Sequence, residues 1–321
     1  MQEITKQISS ESLNREMTIK EAKEFNLDNN LAILLDNLKI VFDSNTANEK
    51  VVLESTKLSL EKEKIYFIIG DSGCGKTTLI THFNGLLKSK YGNIFLLNGC
   101  KVYGKKKRIP KFKKLRKTVG MVFQFPEYQL FKDNIIKDVM FGPVNLGVKK
   151  PEAEKLAIEY LKQMGIPEYL FSHSPFELSG GQKRRVALAG ILAIQPNILV
   201  FDEPTAGLDP AGTTSILNFI QNLKQQKQTI IIITHDMNQV LRMADKVIVL
   251  ADKKVKYFDT PYNIFRNNEL LNSTSIIKPM VIQMIDLLIS KNKAFEALYE
   301  MQPKTVEELS ICIDKIIKKR K

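Results

Sequence analysis

Residues 65–78 read Ile-Tyr-Phe-Ile-Ile-Gly-Asp-Ser-Gly-Cys-Gly-Lys-Thr-Thr. The apolar, β-branched start predicts a buried strand, and Lys76 onward predicts a helix. Between them Gly70, Gly73 and Gly75 allow backbone conformations that side chains forbid. A strand turning at once into a helix opens a crossover unit, which predicts an α/β fold with parallel strands. The spacing Gly70-x-x-x-x-Gly75-Lys76-Thr77 also fits a phosphate-wrapping loop. Glycines there let backbone N–H groups point inward, and the helix adds its positive end. Lys76 should reach the β- and γ-phosphates of a nucleotide, with the Thr77 hydroxyl placed for Mg²⁺. The predicted nucleotide-binding stretch is Gly70, Asp71, Ser72, Gly73, Cys74, Gly75, Lys76, Thr77 and Thr78. Cys74 reads first as a tolerated variable position; the alternative is a thiol whose pKa is lowered by the ring of N–H donors beside it.

The second half of such a site comes from Ile198–Pro204, ILVFDEP. A buried strand ends there in two carboxylates, at the strand end where open α/β sheets bind ligands. Asp202 is expected to hold Mg²⁺, directly or through water. Glu203 is expected to orient and deprotonate the attacking water. TIIIITH brings His235 to the end of another apolar strand, where it can donate to the γ-phosphate in the transition state. His82 and His173 have no comparable context.

The 321 residues fit two folded units better than one. With 44% apolar residues a sizeable core can be buried, so the chain is not a disordered one. The net charge of +13 attracts something anionic: nucleic acid, nucleotide or a membrane face. Residues 101–117 concentrate this charge with no acid among them. They read as a solvated loop or as a patch facing headgroups or nucleic acid. Cys74, Cys100 and Cys312 match no zinc or redox spacing, which suits a reducing compartment. The first residues lack the apolar core of a signal peptide. No stretch has about 18 consecutive apolar residues, so no span is expected.

Along the chain, residues 1–33 read as a polar tail with a helix through ESLNREMTIKEAKEF. Strands follow at NLKIVF, VVLESTKLSL, KIYFIIG, VGMVFQF, NILVFDEP, TIIIITH and KVIVL. KKPEAEKLAIEYLKQMG predicts a helix with Leu156, Ala157, Tyr160, Leu161 and Met164 on one face. From Pro261 strands cease. One amphipathic helix is marked by Met280, Met284, Leu287 and Leu288. Another follows a capping-box pattern at Thr305 and Glu308, with Leu309, Cys312, Ile313, Ile316 and Ile317 on one face. The expected division is a tail (1–33), a nucleotide-binding domain (34–265) with a helical subdomain at about 125–190, and a helical C-terminal domain (266–321).

LSGGQKRRVALAG, residues 178–190, supplies a second phosphate-binding helix N-terminus. One γ-phosphate does not easily meet both helices of one chain. Two chains arranged head-to-tail could sandwich it, each offering its Ser-Gly-Gly turn to the other's lysine loop. At this point the sequence resembles the ATP-binding cassette ATPases. Its motifs stand in family order: the lysine loop at 70–77, Gln124, LSGGQ at 178–182, VFDEP at 200–204, LDP at 208–210, and His235. The resemblance implies a P-loop cassette, mainly parallel with antiparallel N-terminal strands, a helical signature subdomain and a small helical C-terminal unit. It further implies that Gln124 senses Mg²⁺ and the attacking water. Ser179, Gly180, Gly181 and Gln182 act on the partner's ATP, and Asp209 couples the two sites. Phe42 lies where the family stacks an aromatic on adenine; as an isolated residue it reads equally well as strand core.

Within that superfamily FQFPEYQLF (123–131) and DVMFGPVNLG (138–147) resemble the ATPase subunits of energy-coupling factor transporters, FQFPE leaning toward the second of two paralogues. The implied function is ATP hydrolysis powering import of vitamins or transition-metal ions. The implied partners are a paralogous cassette ATPase in a heterodimer, or a second copy in a homodimer, a transmembrane coupling protein, and a substrate-binding membrane protein. The chain would then sit peripherally on the cytoplasmic face of the cell membrane, held there through partners, with no nucleic acid. The segment Phe125–Phe131 would form part of a groove for the coupling protein. A soluble cassette ATPase acting on nucleic acid or ribosomes is the alternative that the basic surface raises. It usually carries two cassettes or a long coiled coil, neither of which is present. A non-catalytic regulator would not need Lys76, Asp202, Glu203 and His235 together.

Overall fold

The computed structural model describes residues 30–44, 46–103, 109 and 111–318. The expected helix in the N-terminal tail lies outside them, as does the most basic part of the 101–117 segment. In chain order the first elements are β1 (Leu31–Phe42), β2 (Lys50–Glu61), β3 (Ile65–Gly70), α1 (Lys76–Phe83), β4 (Tyr91–Leu96), β5 (Cys100–Tyr103), α2 (Phe112–Thr118) and β6 (Val119–Val122). Next come α3 (Ile135–Asn145), α4 (Lys150–Gln163), α5 (Gly180–Leu192), β7 (Ile198–Asp202), α6 (Pro210–Gln225) and β8 (Thr229–Ile233). The last are α7 (Met237–Met243), β9 (Lys246–Ala251), β10 (Lys254–Asp259), α8 (Pro261–Arg266), α9 (Asn268–Asn272), α10 (Met280–Lys291), α11 (Leu298–Met301) and α12 (Val306–Lys318). They fall into two compact units. One runs to Glu63 and resumes over Thr77–Ile230; the other joins Lys64–Lys76 to Ile231 onward.

The first unit holds an antiparallel sheet of order β2-β1-β4-β5. Leu35 pairs with Leu58 on one side and Ile94 on the other, so the apolar positions share a buried face. The register shifts between Asp36 and Lys39, where Asn37 takes a φ of 48°. Gly92 lies against that bulge: a Cβ there would stand 2.2 Å from the Asn37 carbonyl oxygen. In the same unit β6 and β7 pair in parallel, Val119 opposite Ile198 and Val122 opposite Phe201. All five residues of β7 are buried, the continuous apolar run that parallel strands require. The helices α3, α4 and α5 pack on one another. Asn134 caps α3 by accepting the Lys137 N–H, and Pro151 stands in the first turn of α4. On α4 the buried residues are Ala153, Ala157 and Leu161, while Leu156 and Tyr160 are only half-buried.

In the second unit β3 pairs in parallel with β9, Phe67 opposite Val247 and Ile69 opposite Val249. β10 closes this part as an antiparallel neighbour of β9. Both expected C-terminal helices are present, and packing refines which of their residues are buried. The buried face of α10 is Val281, Ile282 and Ile285; Met280 and Leu287 are more than half exposed. This helix carries two apolar stripes, and packing alone selects between them. On α12 only Leu309 is buried. Cys312, Ile313 and Ile316 are half-buried and Ile317 is exposed. The capping pattern is altered too. Thr305 Oγ1 accepts the Glu308 N–H, but the Glu308 carboxylate takes the N–H of Lys304 instead of that of Thr305. Strands β4, β5 and β10 join those expected, and β6 ends at Val122, before Phe123, Gln124 and Phe125. The α/β class expected from the sequence is the one observed.

Candidate functional site

The phosphate loop begins where β3 ends. Gly70 has a φ of 145°, and a Cβ there would meet the Leu250 carbonyl oxygen at 2.1 Å. No other residue fits, since both the backbone angle and the close approach of β9 forbid it. Gly73 and Gly75 also have positive φ, 75° and 100°. Lys76 is buried, and its Nζ donates to the carbonyls of Gly70 (2.8 Å) and Asp71 (2.9 Å). The loop therefore curls around its own lysine. The Asp71 carboxylate faces Ser275, whose hydroxyl and backbone N–H donate to it and hold its pKa below the ordinary carboxylate value. Cys74 does not follow the activated-thiol reading. Burial raises its thiol pKa, outweighing the nearby Lys76 charge.

Thr77 follows Lys76 in α1. Its Oγ1 donates to Asp202 Oδ2 at 2.9 Å. Two groups distant in sequence, the first helical hydroxyl and the last carboxylate of β7, thus meet. Hard oxygen donors of this kind suit Mg²⁺. The next residue, Glu203, takes a φ of 50°, a left-handed backbone that costs a non-glycine residue about 1 kcal/mol or more. Thr77, Gln124 and His235 are exposed, and Glu203 and Thr78 are half-buried. Phe42 ends β1 at 39% exposure, so it is not strand core.

The signature turn differs in build. Ser179 is the N-cap of α5: its side chain accepts the Gln182 N–H (3.3 Å), and the Gln182 side-chain oxygen accepts the Ser179 N–H (3.0 Å). The helix begins at Gly180, so both glycines are its first residues. A Cβ at either glycine would meet open space. Asp209 caps α6 by accepting the Gly212 N–H at 2.7 Å.

Sequence reading missed Arg184. This buried guanidinium donates to the carbonyls of Ala206 (3.0 Å) and Pro204 (2.6 Å) through Nη1 and Nη2, and through Nη2 to that of Gln124 at 3.3 Å. One side chain on α5 so ties the loop carrying Gln124 to the turn after Glu203. Burial lowers its pKa while the Glu127 charge supports it. The pair of arginines after LSGGQ was the available signal, but no spacing says which of them turns inward.

Residues 53–206 match the ABC transporter family model. The chain is 52% identical over 286 residues to the energy-coupling factor transporter ATP-binding protein EcfA2 of Mycoplasmoides gallisepticum, covering 88% of this chain and 90% of that one. This chain belongs to the ABC transporter ATPases, among the energy-coupling factor ATP-binding proteins. Two solved structures are similar. One is cbiO1 from Clostridium perfringens, part of the ABC transporter complex cbiONQ, with TM-score 0.62 and 32% identity, covering 80% of this chain and 99% of that one. The other is a dimeric ATP-binding cassette in a post-hydrolysis state bound to ADP and Pi, with TM-score 0.62 and 26% identity, covering 71% of this chain and 98% of that one. Membership makes this chain an ATP-binding, ATP-hydrolysing subunit that powers transport. No helix among the described residues is long and apolar enough to cross a membrane.

Proposed function

We propose that this ATPase powers an energy-coupling factor importer for vitamins or transition-metal ions, from the cytoplasmic face of the membrane. The observation that carries the reading is an aromatic surface beside Gln124. Tyr128 is 84% exposed and Phe131 54%, and Phe131 packs edge-on against the exposed Phe141. A cavity of about 440 Å³ adjoins them, lined among others by Phe123, Leu130, Phe131, Phe141 and Ile194. Exposed aromatics beside an apolar groove fit a helix of a membrane coupling protein. Leu130 is 8% exposed and supports the groove from within. Tyr128→Ala is therefore the cleaner probe of docking.

In the proposed mechanism the loop N–H groups and Lys76 hold the phosphates, and Phe42 stacks on the adenine. Thr77, Asp202 and Gln124 would hold Mg²⁺, which neutralises phosphate charge when bound. Glu203 orients a water and accepts its proton; His235 donates to the γ-phosphate oxygens. Ser179, Gly180, Gly181 and Gln182 face the γ-phosphate of a second cassette ATPase, a paralogue or another copy. The exposure of Ser179, Gly180 and Gly181 and the space around both glycines support that role. Asp209 relays between the two sites. The dimeric state of the ADP-bound relative supports the same arrangement.

The test is purification of the tagged chain from detergent-solubilised membranes, with mass spectrometry of what accompanies it. A second cassette ATPase and small hydrophobic membrane proteins are expected. Ribosomal proteins or nucleic acid without any membrane protein would overturn the reading. Glu203→Gln should retain MgATP binding and lose hydrolysis by roughly a hundredfold or more; retained turnover would remove Glu203 as the base.

A further inference from the structure

Asp71 is the only acid between Gly70 and Thr77, in a loop whose task is to hold phosphate. A free carboxylate there repels the nucleotide. Here two hydrogen bonds reach it from one distant residue. The Ser275 N–H donates to Asp71 Oδ1 at 2.9 Å, and the Ser275 hydroxyl donates to the same oxygen at 2.5 Å. Ser275 lies in the link between α9 and α10, which serves no part of the mechanism above. The link makes a second tie at its end: the Met280 N–H donates to Asn238 Oδ1 at 2.9 Å. Asn238 stands in the first turn of α7, three residues beyond His235. The entry to the C-terminal helices thus grips both the phosphate loop and the segment following the catalytic histidine.

We propose that Ser275 is a positioning residue for nucleotide binding. It fixes the Asp71 carboxylate on two donors, so that the arriving phosphates meet N–H groups and Lys76 instead of a mobile acid. The inference rests on the reading of 70–77 as the phosphate site. A further consequence is that movement of the link, by releasing Asp71, weakens ATP binding from outside the nucleotide site.

Calorimetric titration of the full chain with MgATP tests this through Ser275→Ala, Asp71→Asn, their combination and Lys76→Ala. Ser275 is exposed, so its truncation spares the core. Ser275→Ala is expected to weaken binding roughly three- to tenfold, a loss that shrinks as salt screens the freed charge. The same change made on top of Asp71→Asn should alter the Kd less than about 1.5-fold, because no acid remains to be released. Ser275→Thr, which keeps the hydroxyl, should bind like the parent. An equal loss in both backgrounds would mean that Ser275 only shapes the link, and overturns the proposal. So does unchanged binding by Ser275→Ala while Lys76→Ala abolishes it. Binding that survives Lys76→Ala would instead overturn the phosphate-site reading, and this inference with it.

Discussion

Two glycine-rich turns lead into helices in this molecule, and they are built for opposite purposes. The phosphate loop closes on itself: Gly70, Gly73 and Gly75 take positive φ, and its lysine is buried against its own carbonyls. The signature turn opens outward. Gly180 and Gly181 lie in the helix with open space above them, and Ser179 and Gln182 satisfy each other. In the first the glycines let the backbone curl around Lys76. In the second they leave the first helical residues free of side chains, with nothing packed against them. The lesson is that glycine content alone does not distinguish a cradle from a contact face.

The strongest way to break this comparison is to disable each turn in isolation. Lys76→Ala should lose both MgATP binding and turnover, roughly a hundredfold or more, in a fluorescent-nucleotide titration and a phosphate-release assay. Ser179→Arg should lose turnover by a similar factor while the single chain still binds MgATP. If Ser179→Arg also lost binding, the signature turn would serve its own chain's nucleotide and the contrast would collapse.

Alanine at the leading glycine of each turn sharpens it further. Gly70→Ala drives a Cβ into the Leu250 carbonyl at a positive φ, and should cost about 3 kcal/mol or more by denaturant unfolding. Gly180→Ala meets nothing and should leave the unfolding midpoint nearly unchanged. Ser179→Ala removes only a cap and should cost about 1 kcal/mol. The smallest effect concerns Cys74. Burial holds its thiol above the ordinary value, so it stays protonated at neutral pH. Its reaction with maleimide, followed by mass spectrometry, should be slow at pH 7 and accelerate steadily toward and beyond pH 9. Fast labelling at pH 7 would favour an activated thiol instead.

Much of the candidate site was legible because its chemistry is local. A phosphate loop needs its glycines, lysine and threonine within one strand-turn-helix, and VFDEP places two acids at one strand end. Such constraints act over a few residues, so they appear as spacing. Phe42, Gln124 and Asp209 carry no such local signal; only the family's motif order singled them out. The antiparallel partners β4 and β5 were missed, since their short runs become strands only through pairing with β1 and with each other.

By itself, then, the sequence determined the α/β class, the family, and the loop and strand-end residues of the candidate site. The tertiary structure alone decided three further matters. It turned Arg184 onto the carbonyls of Gln124, Pro204 and Ala206. It set Ser275 on Asp71 across 204 residues of chain. It buried Val281, Ile282 and Ile285 of α10 and left the methionine stripe outside. The physical reason is common to all three. A backbone carbonyl, a carboxylate or an apolar stripe accepts many partners of similar chemistry, and only close packing makes one of them the nearest.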